Sequence, residues 1–306
     1  MHMNPRLLLK KLVLLVGGLL LLAGCSLLNH LDKVPPLDPA QWPNFSGEWD
    51  FDFIVEPSSL RGLKLNNVPI CQKGPELWSA WGDAHLRGLV RLDGTFELLA
   101  DFFVPGISIK WIIWGNLKDD QFEGYYKPIE TESFFKVRYL GHRLGSVPPQ
   151  GCIEGFRGEA AAQLPQTYPS LSTLSSLTGA AQPLAPSQWP VMAGEWQFSV
   201  VDPLALKGRK FSIPICQLGP QLSSAFVEDF MAGLVHLDGK FALIVHQYVG
   251  PKRSVWTLWG DLTKTEFEGY YKPWNSDAFY AVTLQGRRLG PVPQGVNCPS
   301  GFQRSP

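Results

Sequence analysis

Phe45-Ser46-Gly47-Glu48-Trp49-Asp50-Phe51-Asp52-Phe53 alternates apolar and polar side chains without a break. In an extended chain Phe45, Gly47, Trp49, Phe51, Phe53 and Val55 share one face, and Ser46, Glu48, Asp50 and Asp52 share the other. A period of two with one polar face marks a half-buried β-strand. Asp93-Gly94 and Asp238-Gly239, farther along, are hairpin signals. A three-residue loop at the first places Leu92 opposite Phe96 and Val90 opposite Leu98, which keeps the apolar residues together. A second hairpin is predicted from about Ser108 to Glu130, turning at Lys118–Gln121. Its register pairs Leu117 with Phe122, Gly115 with Gly124 and Ile113 with Tyr126. A last strand follows from about Ser133 to Arg143. No segment of comparable length has a strong helical period.

The same text occurs twice. Gln41-Trp42-Pro43 recurs as Gln188-Trp189-Pro190, Gly47-Glu48-Trp49 as Gly194-Glu195-Trp196, and Pro69-Ile70-Cys71-Gln72 as Pro214-Ile215-Cys216-Gln217. Phe122–Pro128 and Phe267–Pro273 are identical, FEGYYKP, and both copies close on RLG-x-VP from Arg143 and Arg288. Most of these matches are offset by 145 residues. Self-similarity at that spacing marks a duplicated domain. The predicted repeats are residues 41–157 and 188–306. Residues 158–187, rich in Ala, Ser, Thr, Pro, Gln and Leu with Glu159 as their only charge, read as a flexible linker. Each repeat holds seven or eight strands joined by short turns. Sequential hairpins with one apolar face favour an all-β chain of two tandem antiparallel up-and-down β-barrels. A pair of β-sandwiches is the alternative.

The 306 residues are 45% hydrophobic and 12% aromatic, enough for packed cores and against wholesale disorder. Lys and Arg number 27, Asp and Glu 27, so no basic excess points to nucleic acid. The chain has no phosphate-cradling glycine loop and no clustered metal ligands. Neither a cofactor nor a metal is expected.

The first 25 residues read as a targeting segment. Arg6, Lys10 and Lys11 precede an apolar run from Leu12 to Gly24, shorter than the roughly 20 residues of a membrane span. The run ends in Leu22-Ala23-Gly24-Cys25, which resembles the lipobox of bacterial lipoproteins. The resemblance implies a signal peptide over 1–24, diacylglyceryl transfer to the Cys25 thiol, cleavage before it and acylation of the new amine. Ser26 in place of Asp implies sorting to the outer membrane. Cleavage removes three basic residues and no acids, leaving 24 basic against 27 acidic side chains. Acyl chains anchor such a body without a transmembrane helix. Residues 25–40, with Pro35, Pro36 and Pro39, read as a lipidated tether.

Four further cysteines permit three pairings. The duplication selects Cys71–Cys152 and Cys216–Cys298, because each copy then closes on itself, and an exported protein keeps such bonds.

Gly-x-Trp at the start of strand one, with an Arg late in the last strand, resembles the lipocalin and avidin superfamily of small barrels, the calycins. The resemblance implies that Trp49 packs with Arg143, and Trp196 with Arg288, at the closed barrel ends.

Three chemistries are open. Trp49, Trp111 and Tyr126 face inward with Phe51, Leu98 and Ile113, and Trp196, Trp256 and Tyr271 match them. They either fill the core or line a site for a small hydrophobic ligand. Trp114 with Tyr125, and Trp259 with Tyr270, point outward. They are stabilising cross-strand pairs, a platform for glycans, a docking patch for an envelope protein, or the place where the two domains meet. Asp261 facing Glu268 is the one carboxylate pair, with Asn116 and Glu123 at the matching positions. His236 and His246 share a face but not a neighbourhood, and no nucleophile arrangement appears. The expectation is a lipid-anchored envelope protein, held to the outer membrane facing the periplasm, whose barrels form a binding or interaction module rather than an enzyme. A carrier of a small hydrophobic molecule, an envelope glycan hydrolase and a structural part of a secretion or surface-polymer assembly are the alternatives.

Overall fold

The computed structural model describes residues 34–54, 64–81, 84–104, 107–118, 121–127, 132–147, 152, 183–226, 229–249, 251–274 and 276–304. The signal segment, Cys25, Val55 and residues 158–182 of the expected linker lie outside the described residues. The first repeat contains β1 (Gly47–Ile54), β2 (Lys64–Lys73), β3 (Glu76–Trp81), β4 (Ala84–Val90), β5 (Thr95–Val104), β6 (Ile107–Asn116), β7 (Gln121–Lys127) and β8 (Phe135–Gly145). The second contains β9 (Gly194–Asp202), β10 (Lys210–Leu218), β11 (Gln221–Phe226), β12 (Asp229–Val235), β13 (Lys240–Val249), β14 (Lys252–Asp261), β15 (Glu266–Lys272) and β16 (Tyr280–Gly290). Within each repeat every strand pairs antiparallel with the next, β8 returns to β1, and β16 returns to β9. The chain is all-β, with two closed eight-stranded barrels. Closure leaves no strand edge unpaired, which a sandwich cannot achieve.

The alternation in β1 does what its period dictates. Trp49, Phe51 and Phe53 are buried in the first barrel with Leu98, Trp111, Ile113 and Tyr126. Trp196, Phe198, Leu243, Trp256, Leu258 and Tyr271 are buried in the second. The repeated FEGYYKP supplies a packing device. The Phe122 ring lies across β6 and β8, where a Cβ added to Gly115 or Gly141 would fall 2.2 or 2.3 Å from it. Phe267 lies in the same way over Gly260 and Gly286, each 2.1 Å away by that measure.

Two registers differ from the sequence expectation, each by two residues. Val90 pairs with Phe96, and Gly88 rather than Val90 stands opposite Leu98. Trp111 rather than Ile113 pairs with Tyr126. The turns account for both shifts. Arg91 donates to the Thr95 carbonyl (2.8 Å) and Gly94 to Arg91 (3.0 Å), so Asp93-Gly94 sits inside a longer turn. Asp93 closes it by accepting from the Thr95 amide at 2.9 Å, and Gly94 supplies a φ of +89°. Leu117 leaves its hairpin because its N–H donates to the Gly94 carbonyl of the neighbouring turn (2.8 Å). Leu262 does the same with Gly239 (3.0 Å). A shift of two preserves faces, so the inward and outward sets survive it.

The disulfides Cys71–Cys152 and Cys216–Cys298 each close a loop within one repeat, over 81 and 82 residues.

Candidate functional site

The barrel interiors are packed with rings. In the first, Phe45 stacks on Trp49 (4.8 Å between centroids), while Trp111 meets Tyr126 (4.2 Å), Phe53 (4.5 Å) and Tyr139 (6.4 Å). In the second, Trp256 meets Tyr271 (4.4 Å) and Phe211 (4.6 Å). Large aromatics in contact consume the volume an eight-stranded barrel offers. Three buried polar atoms inside have no hydrogen-bond partner among the described residues: Tyr126 Oη, Tyr139 Oη and Trp256 Nε1. Burial pushes the Tyr126 hydroxyl up to about 12 and raises that of Tyr139 well above its ordinary value. Both are neutral donors.

At the other end of each interior the strand-one tryptophans are tied down. Trp49 Nε1 donates to the Phe45 carbonyl (3.0 Å) and Trp196 Nε1 to Met192 (2.9 Å). The Arg143 guanidinium lies 4.9 Å from the Trp49 ring and donates to the Asn44 carbonyl. Arg288 is the register partner of Trp196 and donates to the Ala193 carbonyl.

The outward aromatics do not face solvent as pairs. Trp114 stands opposite Glu123, and Trp259 opposite Glu268. The tryptophans reach their tyrosines diagonally, at 4.4 Å for Trp114–Tyr125 and 4.6 Å for Trp259–Tyr270. Tyr125 and Tyr270 are buried, because the two barrels meet here. Trp189, ahead of the second barrel, sets its edge on Tyr125 of the first (4.6 Å) and packs on Phe134 (5.9 Å). Reciprocally, Trp42 meets Tyr270 (4.4 Å) and Phe279 (6.0 Å) of the second barrel. Each tyrosine hydroxyl faces the backbone of the other barrel, Tyr125 at Leu237 and Tyr270 at Leu92. Leu184 donates to the Phe134 carbonyl and Leu37 to Phe279, both at 2.7 Å. The ends of the stretches expected as linker and tether are thus held against a barrel. Such exchange of like contacts is the pattern of a two-fold dimer, here within one chain.

A residue pair that the sequence displayed without revealing its role holds these arms. Gln72 accepts from the Phe45 amide (2.7 Å) and donates to the carbonyls of Pro43 and Gly74 (both 2.9 Å). Gln217 accepts from Met192 and Ala193 (2.7 and 3.1 Å) and donates to Pro190 and Gly219 (both 2.9 Å). Each glutamine therefore clasps the segment that carries an interface tryptophan. Its signal was the repeated Pro-Ile-Cys-Gln.

The pseudo-symmetry breaks in its charges. Glu97, whose counterpart is Ala242, is buried between Arg91 of its own barrel and His236 of the other, at 3.3 Å from each. His236 also lies on the Trp114 ring (4.6 Å), and its counterpart Arg91 lies over Trp259 (5.3 Å). A cavity of about 30 Å³ beside Glu97 is lined by Leu89, Glu97 and Leu99 and their counterparts Leu234, Ala242 and Ile244. That is room for one or two waters. Burial works to raise the Glu97 pKa, but the charge of His236 beside it, with Arg91, holds it below the ordinary 4.5. Glu76 behaves oppositely. Burial raises its pKa, and Lys272, Arg253 and Lys73 only partly offset this. Its counterpart is Gln221.

These directions set a pH dependence. A depressed folded pKa contributes stability that is present above the unfolded value and lost as pH falls through the folded one; a raised pKa does the reverse. Glu97→Gln is expected to flatten the loss of stability between about pH 5 and pH 3. Glu76→Gln is expected to stabilise at pH 7 and to gain nothing near pH 4. Urea denaturation across that pH range checks both.

The carboxylate pair is not formed. Glu268 stands opposite Trp259, and Asp261 stands opposite Lys240 on the other side of β14. Asp261 instead accepts from the amide and hydroxyl of Thr263 (2.9 and 2.8 Å), a turn-closing role that Asn116 shares with the Lys118 amide (3.0 Å). His246 stacks on Phe230 (4.1 Å) beside Arg253. Burial, with Arg253, Arg87 and Lys272, pushes it down to about 3, so it is neutral at physiological pH. Among the described residues no group of three or more His, Cys, Asp or Glu side chains is placed to hold a metal ion. No protein-family model, curated protein or solved structure matches the chain.

Proposed function

We propose that this protein is a lipid-anchored cell-envelope protein, acylated at Cys25 and held to the outer membrane facing the periplasm, whose joined barrels act as a non-catalytic binding or interaction module. The reciprocal seating of Trp42 and Trp189 on the opposite barrel supports this reading best. It makes one packed body from two copies, and the interior rings leave the outer surface as the place to meet a partner. The displaced Asp261 and Glu268 weaken the glycan hydrolase alternative. One observation favours a second reading, a small-molecule carrier: the partnerless Tyr126, Tyr139 and Trp256 polar atoms are ones that an interior ligand or water would satisfy.

Native mass spectrometry of the full chain extracted from its own membrane in detergent tests both. The expected mass is that of an acylated chain starting at Cys25, less four hydrogens, with nothing further lost on denaturation. A small molecule released on denaturation would replace the interaction reading with the carrier. Cys25→Ser is expected to abolish partitioning into detergent; unchanged retention and mass would refute the anchor.

A further inference from the structure

We propose that one end of the second barrel is a membrane-docking surface, with exposed apolar side chains seated in the headgroup region of the bilayer that carries the lipid anchor. The β9–β10, β11–β12, β13–β14 and β15–β16 connections lie at this end, as the pairings Ser199–Lys210, Phe226–Asp229, Val249–Lys252 and Tyr271–Tyr280 require. Three of them present a large apolar side chain to solvent: Leu204 (80% exposed), Phe226 (42%) and Trp274 (46%). Single exposed apolar residues are ordinary, but three on adjoining turns of one barrel end form a patch. Leu204 stands in a short 3-10 turn, Leu204–Leu206, whose Leu206 is buried in the barrel core. The turn is thus moored on one side and offers Leu204 on the other.

Two observations identify a bilayer as the occupant. The first is charge. Exposed Lys207 and Lys210 flank the Leu204 turn, and exposed Lys252 and Arg253 stand at the fourth connection, between β13 and β14. Lysines around a tryptophan and aliphatic tips match the interface of an anionic membrane, where Trp sits at headgroup level and Lys reaches phosphates. With Arg209 and Lys272, six basic side chains stand on these connections and the strand ends beside them, against the acidic Asp202, Glu228, Asp229 and Asp277, so this end is net basic even though residues 25–306 carry a net negative charge. The second is the tether. The Leu37 amide donates to the Phe279 carbonyl at 2.7 Å, within the connection that also carries Trp274. Leu37 lies twelve positions after Cys25, a reach of at most about 40 Å. The arm therefore leaves the body at this barrel end. The inference rests on the reading of Cys25 as the acylated residue.

The test uses the full chain, extracted in detergent and reconstituted into phosphatidylethanolamine–phosphatidylglycerol vesicles with brominated acyl chains, which quench nearby tryptophan. Quenching of about one tryptophan's share of the emission is expected, 11 being present. Trp274→Phe is expected to abolish it, and Leu204→Ser with Phe226→Ser to reduce it at least about twofold. No quenching, or quenching unchanged in Trp274→Phe, overturns the docking surface. The mass of the Cys25 peptide separates the two readings. An acylated Cys25 with no quenching sinks the docking surface and keeps the anchor. Quenching that depends on Trp274 in a chain with an unmodified Cys25 does the opposite.

Discussion

Trp189→Ala is expected to destabilise the protein by about 3–5 kcal/mol, the range for truncating a buried large aromatic. The ring is buried between Tyr125 and Phe134 of the first barrel, and both would be left facing a void. The neighbouring approach is tight. Gly219, at a φ of +56°, lies so close to Phe134 that an added Cβ would stand 2.5 Å from the ring. Collapse around the missing indole is therefore hindered, which puts the cost toward the upper part of the range. Trp42→Ala removes the matching contact with Tyr270 and Phe279, where Gly74 makes the same approach at φ +57°. The two arms share no partner in these clusters, so their effects should add to within about 0.5 kcal/mol. The double variant is expected to uncouple the barrels. Calorimetry would then show two transitions in place of one cooperative unfolding. A loss below about 1 kcal/mol in either single variant would mean that the arms do not hold the barrels together.

Replacing Cys216 and Cys298 by serine is expected to cost about 4 kcal/mol, from the closure entropy of an 82-residue loop. That corresponds to a fall in melting temperature on the order of 10 °C. The bond also has a local task. Beyond Cys298 the tail returns to β10, with the Gln217 amide donating to the Gln303 carbonyl (3.1 Å) and the Gln303 amide to Gln217 (2.7 Å). Gln217 is the clasp on Pro190, Met192 and Ala193. Freeing the tail thus loosens the segment just after Trp189. The cysteine variant should make the second barrel melt first, and Trp189→Ala should cost less in that background than in the native one. Full additivity of the two would show that tail and clasp are independent.

Much of the fold is legible in the amino-acid text because it depends on short periods. Alternation from Phe45 to Phe53 states a strand and its buried face, and repetition at 145 residues states two like domains. The faces of Trp111, Tyr126, Trp256 and Tyr271 were legible for the same reason: parity survives an error of two in register. The register was not. It depends on Leu117 and Leu262 donating to carbonyls of a neighbouring turn, a bond between segments more than twenty residues apart. The Asp261–Glu268 pairing failed with the register, and the glutamine clasps were visible as a motif without a partner.

The sequence by itself thus determined the strands, their buried faces and the duplication, since these follow from local alternation and internal repetition. Only the tertiary structure decided which outward residues are outward in fact. Trp114, Tyr125, Trp259 and Tyr270 read as surface from within one repeat. They lie at an interface because the second copy brings a surface of the same shape, and burying both removes apolar area from water that neither barrel alone can cover. The orientation of the barrels also decided that Glu97 meets His236, a contact that no spacing within either copy contains.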